Sequence, residues 1–396
     1  MIEYISMAKK FTYISLFSSA GVGCYGFKQN NFECIATNEL IQRRIDVQKF
    51  NNKCKYESGY ICADITKDET KQILFDEINL WKNKDKISDV DVIIATPPCQ
   101  GMSVANHKKS DHEIKRNSLV VESIKLINEI KPKFFIFENV SAFLKTACSD
   151  IDGFDKPIKD AIEYNLGADY KYVGKVINFK NYGSNSSRNR TIVIGVRRDL
   201  NCEPESLFPD EQREKTLREV IGHLMPLQTP YQFDPNDIYH FFRGYPERMR
   251  RWIAATPEGA SAFDNQNIED KPNQIINGQI VVNTNKNGDK YTRQCWDKVG
   301  PCIHTRNDQL ASQNTIHPSD DRVFSIRELM LLMTIPESFK WSAYDLDELN
   351  KMSDNDKRAY LKKEEIKIRQ SIGEAVPTII FNQISRKIKR WILSQN

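Results

Sequence analysis

The sequence predicts an α/β protein with a mixed, mostly parallel sheet and a second, smaller, loop-rich domain. Apolar runs alternate with helical patterns through the first 200 residues, as expected for parallel strands joined by right-handed crossovers. Residues 201–318 hold many of the Pro, Asn, Asp and Gly residues and show little periodicity. The chain has 396 residues, which is more than one core usually needs, so two domains are expected.

The predicted elements follow from the period of the apolar residues. The predicted strands are 13–17, 34–37, 91–95, 134–137 and 191–196. The predicted helices are 40–50, 119–130, 325–333 and an amphipathic segment at 377–393. The charged stretch 345–370 is expected to be solvated. The second, loop-rich domain is expected to begin after about Leu200.

Composition excludes several classes of protein. A net charge of +4 does not by itself demand nucleic acid, so any DNA-binding surface must come from local clusters of Lys and Arg. The nine cysteines are scattered and none forms a C-x-x-C pair, which argues against a metal site and favours a reducing, cytoplasmic location. No run of 18 apolar residues is present, so we expect no membrane span.

Three strand ends indicate an adenosyl cofactor. Residues 17–23 (Phe-Ser-Ser-Ala-Gly-Val-Gly) follow the first strand, and small residues there let the backbone approach a nucleotide-like ligand. Glu39 follows the second strand, where a carboxylate can accept both ribose hydroxyls. Asp64 follows a third extended piece and can accept from an adenine amino group. For the turn alone, an ordinary glycine turn is the alternative.

The strongest signal for catalysis is residues 96–103 (Thr-Pro-Pro-Cys-Gln-Gly-Met-Ser). Pro97 and Pro98 fix an extended bend directly after a buried strand. They present Cys99 at the carboxyl end of the sheet, where α/β folds bind ligands. We therefore predict that Cys99 is a nucleophile, with a buried cysteine beside a turn as the alternative.

Two further motifs carry charged side chains at strand ends. Glu138 ends the strand 134–137, and desolvation there is expected to raise its pKa, which suits proton donation near neutral pH. Arg188 and Arg190 precede the strand 191–196 and share one face of an extended chain, so they can hold a phosphate or a base carbonyl. An exposed acid and a solvated arginine pair are the alternatives.

Taken together, these motifs resemble the DNA (cytosine-5-)-methyltransferase family, of the bacterial restriction-modification type. The resemblance spans nearly the whole chain in the family's order. The turn resembles the Phe-x-Gly-x-Gly cofactor loop with Ser19 in place of the first Gly, residues 97–101 resemble the nucleophile motif, and 138–140 resemble the Glu-Asn-Val motif. Residues 182–190 resemble the Gln-x-Arg-x-Arg segment, with Ser186 where Gln is usual.

Two C-terminal segments extend the resemblance. Residues 327–328 with 336–339 resemble the Arg-Glu…Phe-Pro-Asp segment that supports the recognition domain, and 370–377 resemble the closing Ile-Gly-Asn-Ala-Val-Pro motif with Glu374 for Asn. The resemblance implies the Rossmann-like S-adenosylmethionine-dependent methyltransferase fold. It implies a catalytic, cofactor-binding domain of residues 1–199 completed by 368–396, and a target-recognition domain of residues 200–367. It also implies S-adenosyl-L-methionine as cofactor, S-adenosyl-L-homocysteine as product, and no metal.

The resemblance assigns roles to individual residues. The expected catalytic residues are Cys99, Glu138, Arg188 and Arg190. Cys99 adds to carbon 6 of cytosine, Glu138 supplies a proton at nitrogen 3, Arg190 holds the base carbonyl and Arg188 supports the pocket. Residues 102–119 are expected to close over the flipped base. The expected cofactor-binding residues are Phe17, Ser19, Ala20, Gly21, Glu39, Leu40, Asp64, Ile65, Pro98, Leu119, Glu374, Ala375 and Val376.

The expected partner is double-stranded DNA, read by the second domain of a monomeric enzyme. Residues 240–252 carry four arginines against one Glu with aromatics between them, which suits phosphate contacts, although a solvated basic helix is the alternative. Target specificity is expected within about 255–310. A restriction endonuclease acting on the same site is a further expected partner. The expected DNA-binding residues are Gln100, Ser103, Arg116, Arg243, Arg250, Arg293 and Thr305.

Three other functions are alternatives to DNA cytosine methylation. The first is methylation of transfer RNA, for which the related branch carries Cys-Phe-Thr where this chain has Cys99-Gln100-Gly101. The second is a catalytically silent DNA-binding paralogue, which the intact Cys99 and Glu138 disfavour. The third is a dinucleotide-dependent Rossmann-type enzyme, which the absence of a full G-x-G-x-x-G disfavours.

Overall fold

The computed structural model describes residues 10–98, 117–284, 289–311 and 315–395. Its contacts divide the chain into two compact units. Unit 1 comprises Met1–Asn178, Asn189–Asp210 and Thr378–Asn396, and unit 2 comprises Phe179–Arg188 and Glu211–Pro377. These bounds differ from the predicted domains in placing residues 179–188 and 368–377 in unit 2 and residues 200–210 in unit 1. The assignment of catalysis to one domain and of DNA reading to the other stays a prediction.

Thirteen strands and eleven helices lie in the part of the chain that the structure describes. The strands are β1 Phe11–Leu16, β2 Phe32–Glu39, β3 Tyr60–Cys62, β4 Val92–Ala95, β5 Phe134–Asn139, β6 Ala147–Ser149, β7 Asp155–Pro157, β8 Tyr170–Asn178, β9 Asn189–Arg197, β10 Phe233–Asp234, β11 Asp237–Phe241, β12 Asn273–Ile276 and β13 Gln279–Val282. The helices are α1 Tyr25–Gln29, α2 Gln42–Phe50, α3 Asp68–Lys84, α4 Leu119–Ile130, α5 Ile158–Leu166, α6 Leu217–Ile221, α7 Glu247–Ala254, α8 Ile326–Leu332, α9 Leu346–Asn350, α10 Asp354–Glu374 and α11 Thr378–Ser394.

Unit 1 is built on a seven-stranded sheet of order β3-β2-β1-β4-β5-β9-β8. Strands β1 to β5 run parallel, whereas β9 is antiparallel to both β5 and β8. The predicted α/β class with a mixed, mostly parallel sheet is therefore confirmed. The carboxyl ends of β1, β2, β4 and β5 lie along one edge, which is where such folds bind ligands.

The central strands are continuous apolar runs because helices cover both faces of a parallel sheet. Ile14, Ile93 and Phe137 are fully buried in one core with Ile124 of α4. Packing explains the glycine at position 195 in β9, because a Cβ there would lie 2.0 Å from the Phe135 ring on the neighbouring strand.

Helix α11 completes unit 1 by packing on α1. A Cβ at Gly26 would lie 2.4 Å from the backbone nitrogen of Asn382, so glycine allows the two helices to approach closely. The Thr378 hydroxyl donates to the Val22 carbonyl at 3.2 Å, and the Asn30 amide donates to the Asn382 carbonyl at 2.9 Å. The amphipathic helix predicted at 377–393 thus has its apolar face in this unit.

Unit 2 is held together by short elements and a buried charge network. Arg322 donates to both oxygens of Glu328 at 2.7 and 2.8 Å, and both side chains are almost fully buried. The same guanidinium pairs with Asp320, at 2.8 Å. Desolvation lowers the pKa of the adjacent His317 to about 4, so this imidazole is neutral near pH 7.

The expectation that 345–370 is solvated is wrong for its second half. That half forms most of α10, which buries Leu361, Glu365, Ile368 and Arg369. Burial is possible because Arg369 pairs with Glu365 at 2.8 Å and donates to the Phe324 carbonyl at 2.9 Å. No helix among the described residues is long and apolar enough to cross a membrane.

Candidate active site

The turn after β1 has a backbone that few side chains tolerate. Phe17, Ser19 and Gly21 all have positive φ, at 55°, 47° and 79°. A Cβ at Gly21 would lie 3.0 Å from Gln48 Cγ. The Gln48 amide donates to the Ser18 hydroxyl at 2.9 Å and to the Ser19 carbonyl at 2.6 Å, and these hydrogen bonds hold the turn in place. Ser19, where the family pattern has glycine, therefore occupies a left-handed position that glycine adopts more easily.

Glu39 links this turn to the end of β2. One carboxylate oxygen accepts from the Ser19 backbone nitrogen at 2.8 Å. The other accepts from the backbone nitrogens of Leu40 and Ile41 at 3.0 and 3.1 Å and pairs with Arg44 at 3.1 Å. Glu39 is buried, so its charge sits at the strand-end crevice and is compensated within unit 1.

Apolar and acidic side chains flank Glu39 at neighbouring strand ends. Leu40 is 69% exposed directly beside the buried carboxylate, and Ile65 after β3 is buried. Asp64 is exposed and accepts from the Thr66 backbone nitrogen at 3.0 Å. That hydrogen bond is the main reason that the pKa of Asp64 is lowered, so it is a carboxylate near neutral pH.

The end of β4 is tied to both neighbouring strands. The Thr96 nitrogen donates to the Leu16 carbonyl at 3.3 Å, and its hydroxyl donates to the Phe17 carbonyl at 2.9 Å. On the other side, the Asn139 amide donates to the Pro97 carbonyl at 2.9 Å. The Pro97-Pro98 bend thus has a fixed position between the turn at 17–21 and the end of β5, and Pro98 is exposed there.

Glu138 and Arg190 form an ion pair on adjacent strands. Glu138 near the end of β5 is 7% exposed, and the Arg190 Nε lies 3.3 Å from its carboxylate. Burial opposes a charge on the carboxyl group, whereas the guanidinium favours it. The Thr191 hydroxyl donates to the Val140 carbonyl at 3.1 Å and so holds the segment that follows β5. The raised pKa expected for Glu138 stays a prediction.

Arg188 has a different role from Arg190, because its guanidinium is buried within unit 2. It donates to the Ile303 carbonyl at 2.7 Å and to the Gly373 carbonyl at 2.9 Å. The guanidinium is therefore a brace that joins two backbone segments of that unit. The expectation that Arg188 supports the pocket while Arg190 holds the base carbonyl stays a prediction.

Gly373 and the segment 303–307 pack backbone to backbone. A Cβ at Gly373 would lie 2.4 Å from the His304 carbonyl carbon and 2.6 Å from the Thr305 nitrogen. The Asn307 amide donates to the His304 carbonyl at 2.6 Å and to the Arg369 carbonyl at 2.9 Å. These contacts explain why glycine stands near the end of α10 beside Glu374, just before the buried Ala375 and Val376.

The Gly373→Ala variant is expected to lower the stability of unit 2 by about 2 kcal/mol. Alanine is the better helix former, but the backbone atoms of His304 and Thr305 leave no room for a methyl group. Urea denaturation measures the change, with Lys362→Ala on the exposed face of the same helix as the control. A Gly373→Ala midpoint equal to or above that of the wild type would contradict this packing.

The arginines predicted to contact DNA are mostly paired with acids. Arg243 pairs with Glu365 at 2.5 Å, Arg250 with Glu247 at 3.3 Å, and Arg251 with Glu269 and Asp270 at 2.7 Å each. Arg248 is exposed and lies over the ring of Trp252, at 5.2 Å. The local excess of positive charge is thus reduced by acids that are mostly distant in sequence. Arg243 and Arg250 stay predicted DNA contacts.

Arg293 is a structural residue of unit 2. It is 4% exposed, and its guanidinium donates to the carbonyls of Ile253, Thr256, His317 and Asp320 and to the Asp321 carboxylate. Its donors are therefore used within the protein, which corrects the expectation of a DNA-facing side chain. Thr305 is exposed, as a DNA contact requires.

Several predicted site residues lie outside the described residues. They are Cys99, Gln100, Ser103 and Arg116, with most of the segment 102–119. The predicted cofactor residues Phe17 and Leu119 are described and half-buried, whereas Ala20 is buried. Among the described residues, no three or more His, Cys, Asp or Glu side chains are grouped to hold a metal ion.

Sequence reasoning missed residues that position the strand ends. Thr96, Asn139 and Asn307 each bond to backbone that the chain must hold next to a predicted site residue. Asn139 lies inside the Glu-Asn-Val motif, so its place in that motif was a usable signal. Asn307 gave no such signal, because its partners lie three residues before it and 62 residues after it.

A solved structure has the same fold as this chain. It is a prophage-encoded protein of E. coli assigned as a DNA modification methyltransferase, with a TM-score of 0.64, 16% identity, and coverage of 97% of this chain and 100% of that chain. The chain belongs to the C-5 cytosine-specific DNA methylase family, whose model matches residues 11–390. The prediction of a DNA (cytosine-5-)-methyltransferase is therefore confirmed.

Two curated relatives match over most of their length. The Type II methyltransferase M1.HgaI of Avibacterium volantium is 31% identical over 395 residues, covering 96% of this chain and 99% of the relative. The Type II methyltransferase M.DdeI of Desulfomicrobium norvegicum is 25% identical over 403 residues, covering 97% of this chain and 89% of the relative.

Proposed function

We propose that this enzyme transfers a methyl group from S-adenosyl-L-methionine to carbon 5 of a flipped cytosine in a short duplex sequence. The transfer proceeds through a covalent bond between Cys99 and the base. The observation that carries the proposal is the tethering of the Pro97-Pro98 bend. Thr96 and Asn139 hold it between the turn at 17–21 and the Glu138–Arg190 pair, and Cys99 follows it directly in the chain.

The residues at the ends of β1 to β3 fit the cofactor. The left-handed turn at Phe17–Gly21 allows close backbone approach, Glu39 offers a carboxylate, and the exposed Leu40 offers an apolar surface. Ile65 and Asp64 follow at the next strand end. S-adenosyl-L-methionine, when bound, supplies an electrophilic methyl group on its sulfonium sulfur. Glu374, Ala375 and Val376 are proposed as further contacts on the basis of the motif resemblance.

The chain's own residues would activate the base. The Cys99 thiolate adds to carbon 6 while Glu138 delivers a proton to nitrogen 3, which makes carbon 5 enamine-like and nucleophilic. Arg190, already held by Glu138, would contact the base carbonyl. After transfer, a base removes the proton at carbon 5 and the bond from Cys99 to carbon 6 breaks.

The remaining proposals concern partners and location. Flipping costs a few kcal/mol, since the ring cannot be reached inside a duplex. Closing of 102–119 over the base and contacts from Gln100, Ser103, Arg116, Arg243, Arg250 and Thr305 would offset that cost. We also propose a monomer in the cytoplasm, with a cognate endonuclease acting on the same sequence, because the relatives above carry Type II names.

Transfer of a tritiated methyl group tests the proposal directly. Label should enter duplex DNA at cytosine carbon 5, should not enter transfer RNA, and should be lost with Cys99→Ala. Label in transfer RNA alone would favour the first rival function. Absence of transfer by the wild type to every duplex would contradict the proposal.

Glu39→Ala is expected to weaken binding of S-adenosyl-L-homocysteine roughly 10- to 100-fold, because hydrogen bonds to a charged group contribute about 1.5–3 kcal/mol. Isothermal titration measures the change. Glu69→Ala, an exposed acid of α3, is the control and should bind as the wild type does. Unchanged affinity in Glu39→Ala would remove this residue from the site.

Arg248→Gln is expected to lower the slope of log K against log salt for DNA binding by about 0.9, the value for one lost phosphate contact. Arg251→Gln is the matched control on the same helix, and a smaller change is expected because two acids already neutralise Arg251. Titration of a fluorescent duplex at several salt concentrations measures both slopes. An Arg248→Gln slope equal to that of the wild type would mean that this face points to solvent.

A further inference from the structure

Strands β12 and β13 form a two-stranded ribbon in unit 2 with a defined register. Asn277 and Gly278 join the strands, and both have positive φ, at 51° and 78°. Two left-handed residues in a two-residue loop make the turn that matches the twist of a hairpin. The register pairs Gln274 with Val281 and Ile276 with Gln279. The ribbon is therefore preformed.

The base of the ribbon is anchored to its own unit by Asn273, which is 4% exposed and whose amide donates to the Lys271 carbonyl at 2.8 Å. Ile275, two residues further along the same face, is 64% exposed. The Asn283 nitrogen donates to the Pro272 carbonyl at 2.8 Å and closes the base of the ribbon. Because side chains alternate along a strand, the four residues of the two pairs above point to the opposite face.

That opposite face carries exposed amide groups and exposed aliphatic groups. Gln274 and Gln279 are exposed, and Ile276 and Val281 are 46% and 40% exposed. No residue from 273 to 282 is charged. Exposed strands are usually protected by charged side chains, so an uncharged and partly apolar face indicates a binding surface.

The chemistry of this face matches one base pair type. Each cross-strand pair joins one glutamine amide to one aliphatic side chain. In the major groove adenine offers a donor and an acceptor that a glutamine amide contacts bidentately, and thymine offers a methyl group that accepts apolar contact. The groove also admits a two-stranded ribbon. The two pairs are two residues apart, roughly 7 Å, which is close to the rise of two base-pair steps.

We propose that this face of the ribbon reads A·T base pairs of the target duplex, with Gln274 and Gln279 contacting adenine and Ile276 and Val281 contacting thymine methyl groups. The inference rests on the proposed function, because it names the specificity-determining residues of the same reaction. In this proposal uncharged residues contact the bases, whereas cationic residues such as Arg248 contact the phosphates.

The test measures sequence preference rather than total activity. The wild type and variants methylate a library of random duplexes, and sequencing that detects 5-methylcytosine gives the preference at each position. The wild-type site should contain at least one A·T pair. In Gln274→Ala or Gln279→Ala, discrimination at one A·T position should fall roughly 5- to 150-fold, the range for loss of one bidentate contact. Gln72→Ala, an exposed glutamine of α3, should keep the wild-type preference.

A gain of preference gives a second test. A carboxylate accepts from the cytosine amino group, so Gln279→Glu should shift the preference at the same position from adenine toward cytosine. A target site made only of G·C pairs would overturn the inference, and so would unchanged discrimination in all three glutamine variants. An Ile276→Ser variant that changes sedimentation while base preference stays unchanged would assign the ribbon to a protein contact instead and also overturn it.

The outcomes separate this inference from the proposed function. If the wild type methylates no duplex of the library, the proposed function fails and the ribbon is not at issue. If the wild type methylates one sequence and the glutamine variants methylate the same sequence with the same discrimination, the inference fails alone.

Discussion

Methyl transfer to duplex DNA is expected to fall on the order of 10⁴-fold or more in Cys99→Ala, because carbon 5 of cytosine is too weak a nucleophile without addition at carbon 6. DNA binding should persist, since a methyl side chain leaves room for the flipped base. Single-turnover transfer and a binding titration separate the two effects. The expected pattern is lost chemistry with retained binding.

The other cysteines provide the control. Cys202 is buried in unit 1 and contacts the turn around Ser206, away from the strand ends of the proposed site. Cys202→Ala should transfer methyl groups at a rate within a few-fold of the wild type. A Cys99→Ala enzyme that keeps more than a hundredth of the wild-type rate would be inconsistent with a nucleophilic Cys99.

Glu138→Gln is expected to lower the rate of methyl transfer by about 10²- to 10⁴-fold, the usual contribution of a positioned general acid. An amide keeps the shape of the side chain but cannot deliver a proton to nitrogen 3. Binding of S-adenosyl-L-homocysteine and of DNA should change little. Single-turnover kinetics with both ligands saturating measure the effect.

The structure shows what else this substitution changes. Gln at position 138 removes the ion pair with Arg190 at 3.3 Å, so Arg190→Gln is a necessary companion variant. Because Arg190 is also proposed to contact the base carbonyl, the double variant should be slower than Glu138→Gln alone. Equal rates would mean that Arg190 acts only by positioning Glu138. Glu129→Gln, an exposed acid of α4, is the control. A Glu138→Gln rate within a few-fold of that of the wild type would contradict the assignment of the proton donor.

The core of unit 1 was predictable because its signals are local. Helix α4 spans Leu119–Ile130, the range that its apolar period predicts, and the runs at 91–95 and 134–137 are central strands. Fully buried strands are continuous apolar runs bounded by turn residues, which a single sequence displays. The motif residues at their ends could be placed at one edge of the sheet for the same reason.

The edge of the sheet was harder to predict. Strand β8 (Tyr170–Asn178) was missed because it pairs only through β9 in the sheet order and exposes Gly174, Lys175 and Val176. An edge strand with polar and small residues lacks the apolar run that marks a central strand. The reversal of β9 relative to β5 also has no local signal, since strand direction depends on the path of the chain between them.

Charged residues in unit 2 account for most remaining differences. Arg369 and Arg293 look like solvated or DNA-facing cations in the sequence, but both are buried. Their partners are mainly backbone carbonyls distant in sequence, for example Phe324 for Arg369 and Ile253 for Arg293. A buried cation is stable only when such partners surround it, and no local pattern reveals them.

The central claim is the covalent bond between Cys99 and the target base, and duplex DNA with 5-fluorocytosine at the target position tests it most directly. Fluorine at carbon 5 blocks the final proton removal after methyl transfer, so the enzyme should stay linked to DNA through denaturing electrophoresis. The adduct should need S-adenosyl-L-methionine for full yield, should be absent in Cys99→Ala, and should map to the peptide that contains Cys99. An adduct that persists in Cys99→Ala, or that maps to another cysteine, would contradict the account.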